Sequence, residues 1–140
     1  MLWRAEEHEP LVASGWDADA AHRAIERIVA DAERSLSGWA WPGHPLDDLG
    51  AEESLTTIYL GSAGVIWALA RLGSACDLDA ALEAALGRYR ATPDFEQDGA
   101  HPPSLWMGET GLPVVAHALG SPAADGSRLR APTASIRPGS

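Results

Sequence analysis

Segments 61–73 and 108–120 align without a gap at an offset of 47 residues, and this repetition limits the possible folds more than any other feature. Each begins Gly-x-x-Gly (Gly61 and Gly64; Gly108 and Gly111) and follows an apolar, aromatic run (Ile58, Tyr59, Leu60; Leu105, Trp106, Met107). Each ends on a Leu-Gly pair (Leu72, Gly73; Leu119, Gly120). A period in the 40s is the signature of one supersecondary unit used repeatedly in a stacked or ring architecture. Both segments are apolar nearly all round, which predicts helices buried by neighbours rather than surface helices. The paired glycines let the backbone turn sharply and let the following helix approach its neighbour closely. Pro113 falls in the first turn, where a missing N–H costs little.

An amphipathic helix precedes each apolar one. Ala21, Ile25, Ile28, Val29, Ala32 and Leu36 share one face, while Arg23, Glu26, Arg27, Asp31, Glu33 and Arg34 share the other. The spacing predicts a helix over 18–37 with one face buried. Asp17 is its N-cap, and Gly38 closes it in a left-handed conformation. Residues 77–90 repeat the pattern: Leu78, Ala81, Leu82, Ala85, Leu86 and Tyr89 form a stripe, with Asp77 and Asp79 at the start and Arg88 and Arg90 at the end, complementing the helix dipole. Each unit is therefore an outer amphipathic helix, a loop and a glycine-led inner helix. Between the first pair, Trp39, Trp41, Pro42, Gly43 and Pro45 predict a structured loop packed on the helices.

Residues 121–140 carry three Arg against one Asp, whereas residues 1–120 carry nineteen acids and seven Arg. No periodicity is visible there, so the expected division is a helical domain over 1–120 and a disordered or loosely attached tail over 121–140. A frameshift or early stop in a longer gene is one origin for such a tail.

Ten Arg, no Lys and twenty acids give a formal net charge of −10, which repels phosphate backbones and anionic lipid. Nucleic acid and membrane surfaces are accordingly not expected as partners. The single cysteine, Cys76, excludes an internal disulfide and a thiolate-rich zinc site, and a cytoplasmic location is the default expectation. Glu6, Glu7 and Glu9 stand where a secretory signal needs basic then apolar residues.

The stretches from Tyr59 to Leu69 and from Ser104 to Leu112, two Gly-x-x-Gly copies in register after aromatic residues, resemble the inner helices of the lanthionine synthetase C-like family. The resemblance covers about residues 17–120. It implies an α/α toroid, a ring of helical hairpins around a central cavity, of which the first two hairpins would be present here. In complete cyclases of that family, zinc held by two cysteines and a histidine from later hairpins activates a substrate cysteine thiol, which adds to a dehydrated serine or threonine of a peptide. None of those ligands can be placed on this sequence, so the resemblance implies kinship without a zinc site and without cyclase activity of the chain alone. It also implies a peptide substrate, or a second chain completing the ring, as partners.

Candidate residues have ordinary explanations beside the functional ones. Cys76 reads as a small, partly buried structural cysteine rather than a lone ligand or nucleophile. His8, His22, His44, His101 and His117 show no ligand spacing, and His117 reads as an inner-helix packing residue. Glu109, inside the second Gly-x-x-Gly, reads as a first-turn cap, with a place facing a cavity as the alternative. Asp94, Glu96 and Asp98 read as a solvated loop, although paired carboxylates are also what glycoside hydrolysis requires. Trp39, Trp41, Trp67 and Trp106 read as filling between helices rather than as a stacking wall for a sugar.

The expectation is thus an all-α protein: a partial α/α toroid of two hairpins with a disordered C-terminal tail, and no catalytic, cofactor or metal residues assigned. The alternatives are a fragment of a glycan-processing α/α toroid, and a non-catalytic interaction module that docks or self-associates through exposed inner helices.

Overall fold

The computed structural model describes residues 15–43, 54–95 and 103–122. They form four helices, α1 (Ala18–Ser35), α2 (Ser62–Leu72), α3 (Leu78–Ala91) and α4 (Gly111–Leu119), with no strand among the described residues. Helix α2 is the hub. It packs on α1, α3 and α4, and α3 also packs on α4, whereas α1 touches no other helix but α2. The interior lies between α2, α3 and α4, where Ile66, Leu82, Leu112 and Val115 are sealed from solvent. Ala63, Ala81, Ala85 and Ala116 fill the same layer, their small side chains letting the helices close on one another. Trp39, Trp41, Ile58, Leu78 and Leu119 cover its margins.

The sequence repeat is matched by equivalent main-chain hydrogen bonds at both ends of the two helices. Gly61 N–H donates to Thr57 C=O at 3.0 Å, and Gly108 N–H donates to Ser104 C=O at 3.1 Å. Gly64 N–H reaches Gly61 C=O at 3.2 Å, and Gly111 N–H reaches Gly108 C=O at 3.4 Å. At the far ends Ser74 N–H donates to Leu69 C=O and Ser121 N–H to Ala116 C=O, each around a left-handed glycine, Gly73 (φ +78°) or Gly120 (φ +63°). These are paired Schellman closures, which a residue with a Cβ would strain. Ser121, assigned above to the tail, is therefore buried and belongs to the end of α4. Residues 123–140 lie outside the described residues.

The copies differ in where helix begins. Helix α2 starts directly after Gly61, but α4 starts two positions later in the alignment, at Gly111. Pro113 stands where the first copy has Ile66 and has no N–H to donate. The helical ladder of the second copy opens instead with Val114 N–H to Thr110 C=O.

Asp17 caps α1 as expected, accepting from Ala20 N–H at 2.9 Å, and Asp77, read above only as a charge at the start of its helix, caps α3 by accepting from Ala80 N–H at 3.0 Å. Two expectations for α1 fail. The helix ends at Ser35 with an extended Leu36, so it does not run to 37, and Gly38 (φ +65°) serves a tight turn closed by Ser37 and Ala40 instead of the helix end. Nor is a face of α1 buried: none of its residues is, and Ile28 is 63 % exposed. Its apolar stripe is real, but α2 covers only part of it.

Polar contacts hold α1 instead. The Glu33 carboxylate accepts from Ser74 Oγ at 2.7 Å and from Ala75 N–H at 2.8 Å, clasping the α2–α3 turn. Trp41 Nε1 donates to Ala32 C=O at 2.8 Å. The bonds from Ser74 and then Ala75 hold the Glu33 carboxyl below the ordinary carboxylate range. A carboxylate with a depressed folded-state pKa contributes stability above its unfolded pKa and loses it as pH falls through the folded value. Wild type is therefore expected to lose stability relative to Glu33→Gln as pH is lowered through that acid range, measured as denaturation midpoint against pH. Parallel midpoint curves would remove this role.

Candidate functional site

The lead-in turns of α2 and α4 and the end of α3 meet around Asp94. Asp94 Oδ2 accepts from Thr56 N–H at 2.6 Å, Thr56 Oγ1 at 2.9 Å and Thr57 N–H at 3.0 Å. Such charge-assisted bonds are stronger than neutral ones, and here they join segments 37 and 38 residues apart. Thr56 and Thr57 are both buried. Ser62 lies beside them, its hydroxyl donating to Leu55 C=O at 3.1 Å.

Not every polar atom of this turn is satisfied. Asp94 Oδ1 and Thr57 Oγ1 are buried without a hydrogen-bond partner, against the rule that buried polar atoms are satisfied. Burial, followed by the charges of Glu109 and Asp94, pushes the Tyr89 hydroxyl above the usual tyrosine range. Two carboxylates therefore act on one buried phenol, and no ion pair to either is found among the described residues. The two lead-in turns are joined where Tyr59 N–H donates to Trp106 C=O at 3.1 Å. These residues occupy equivalent positions of the repeat, and both rings face solvent, 71 % and 58 % exposed. The arrangement offers no nucleophile paired with a general base.

Several sequence readings need correction here. Asp94 is a half-buried tie between two loops, not a solvated residue; Glu96 and Asp98 lie outside the described residues. Glu109 precedes α4 by two residues, so it is not a first-turn cap. His117 is exposed and does not pack inside. Trp39 and Trp41 cover the core as expected, but Trp67 and Trp106 are largely exposed; Trp67 carries the Arg71 guanidinium 5.3 Å from its ring centre. His22 lies on the surface 3.3 Å from Glu26, while His8, His44 and His101 lie outside the described residues. The buried Thr57 and the involvement of Tyr89 had no sequence forecast; a polar Thr56-Thr57 pair directly ahead of an apolar run was the one local hint.

The donor set does not fit the zinc site of complete lanthionine cyclases. Cys76 is the one cysteine of the chain, partly exposed in the α2–α3 turn, where its N–H donates to Ser74 Oγ at 3.2 Å. No group of three His, Cys, Asp or Glu among the described residues is placed to hold a metal.

A concavity lies beside α1, lined by Ile28, Trp41, Pro42 and Val65 together with Arg27 and Arg34. No described helix is long and apolar enough to cross a membrane.

No family model, curated protein or solved structure matches the chain.

Proposed function

We propose that α1–α4 are two successive hairpins of an α/α ring of the lanthionine synthetase C-like kind, serving as a non-catalytic wall against which a peptide or a second chain docks. The observation that carries this reading is the duplicated hydrogen bonding of the two glycine-led helices, which makes them one building block used twice. The packing order supports it. Inner helices α2 and α4 lie side by side, and outer helix α3 packs on both, as consecutive hairpins of a ring require. With one cysteine the chain cannot supply two thiolate ligands, so thioether formation would need groups from elsewhere.

An interaction role is favoured by the apolar side chains left uncovered at both margins, Ile25 and Ile28 on α1, Trp67 and Leu72 on α2, and Val114 on α4. Exposed apolar groups on this scale mark partner sites. Light scattering on the purified chain is expected to show concentration-dependent association, reduced by Ile28→Glu or Val114→Glu. A monodisperse monomer at every concentration would count against the docking role, and a solved structure in which α2 and α4 are not neighbours would remove the ring.

A further inference from the structure

We propose that the trough formed by α1, the loop carrying Trp41 and the side of α2 at Val65 is a docking site for an amphipathic helix of a partner protein, one whose apolar stripe is flanked by carboxylates. The inference rests on the docking role proposed above and gives it a place and a partner chemistry. It does not need the ring, since α1, Trp41 and Val65 build the trough by themselves.

The trough is shaped for a chain segment. It holds about 900 Å³, toward the upper end of ordinary ligand clefts. Its α1 wall runs from Ala24 to Ser35, about 16 Å along the helix. Its apolar surface comes from Ile28, which is 63 % exposed, and from Trp41 and Val65. There is no strand among the described residues, so an extended visitor would find no ladder to join, whereas a helix satisfies its own backbone. Charge then selects the helix. The whole chain carries −10, but the charged residues lining the trough are Arg27, Asp31 and Arg34, a net +1 from two Arg and one Asp. Arg27 and Arg34 stand seven positions apart, two turns of helix, so they emerge on one side of α1 about 10 Å apart along its axis. Carboxylates seven positions apart on a helix laid along α1 have the same spacing. Arg27 has no ion pair among the described residues. Arg34 bonds Asp31 Oδ1 at 2.9 Å through one nitrogen, an exposed pair that contributes little, and its fork retains N–H groups for a second carboxylate.

The probe is an alanine-based helical peptide of about 15 residues, with leucines along one stripe and two glutamates seven positions apart beside it. It is titrated into the full chain at about 0.15 M salt, where the screening length is roughly 8 Å, so acids elsewhere on the chain fade while Arg27 and Arg34 act at contact. Lysine-for-glutamate and serine-for-leucine versions are titrated alongside, with chemical-shift changes as the readout. Expected is saturable binding of the glutamate peptide, with shifts centred on α1, Trp41 and Val65, about tenfold tighter than either altered peptide. Arg27→Glu should weaken the glutamate peptide about tenfold and turn the preference toward the lysine peptide, which a loss of fold could not do. Arg27 is exposed, so the variant should fold, which circular dichroism checks. Arg90→Glu makes the same charge change on α3, which does not touch α1, and should alter affinity less than about twofold. No saturable binding, equal affinity for the lysine peptide, or equal losses from Arg90→Glu and Arg27→Glu would each overturn the proposal. If the peptide fails to bind while the chain still associates with itself, this site falls and the docking role stands. If Arg27→Glu also abolishes that association, the trough belongs to a second copy, and the proposal is likewise overturned.

Discussion

Replacing Asp94 by alanine is expected to lower the unfolding free energy by about 3–5 kcal/mol. The estimate follows from what the carboxylate holds. Thr56 N–H, Thr57 N–H and the Thr56 hydroxyl all end on one oxygen, Oδ2, and both threonines are sealed from water. Removing the acceptor leaves two buried amides and a hydroxyl without partners, at about 1–3 kcal/mol for each unsatisfied group before relaxation. A small domain has about 5–15 kcal/mol in all, so the variant should sit near the edge of folding. Asp94→Asn keeps one acceptor oxygen and should cost less than alanine. Urea denaturation of the three proteins at neutral pH decides the matter: a loss below about 1 kcal/mol for alanine would show that the tie is decorative.

The second large effect is a contrast between the paired glycines of the repeat and a third in α3. At Gly64 an added Cβ would overlap the main-chain carbonyl of Ile58, and at its repeat equivalent Gly111 it would lie 2.5 Å from the Leu105 carbonyl oxygen and 3.1 Å from Ile58 Cγ1. Backbone cannot rotate aside as a side chain can, so Gly64→Ala is expected to cost about 3 kcal/mol or more, with Gly111→Ala of the same sign. Gly87, exposed in α3, has nothing within 4 Å of such a Cβ. Gly87→Ala is therefore expected to stabilise the chain by about 0.5–1 kcal/mol through helix propensity. Thermal melts compare the three. If Gly64→Ala melted with wild type, the close crossing of α2 over its own lead-in turn would not be needed for folding.

These two glycines also show why part of the fold was legible in the sequence. Gly61, Gly64, Gly73 and their counterparts 47 residues on are local signals: a close crossing at one end of a helix and a left-handed residue at the other can each be met within a few positions. The Asp17 cap was readable for the same reason, since donor and acceptor lie three residues apart. Asp94 was not, because its partners lie 37 and 38 residues away and nothing in a Pro-Asp-Phe loop announces them. Helix α1 failed differently. Its stripe of Ile25, Ile28 and Val29 records that a face can be buried, and periodicity carries no information on whether a neighbour is there to bury it. The later start of α4 turned on Pro113, whose missing donor reads as harmless in a first turn yet shifts where that turn begins.

Helix α1 places no side chain in the sealed interior and touches no helix but α2. Detaching it would break the Glu33 clasp and the Trp41 bond while leaving Ile66, Leu82, Leu112 and Val115 dry. Among the described helices α1 is therefore the one expected to open at the lowest free-energy cost, its amides exchanging ahead of those in α2, α3 and α4. Such opening would uncover the side of α2 around Val65, which shares a concavity with α1.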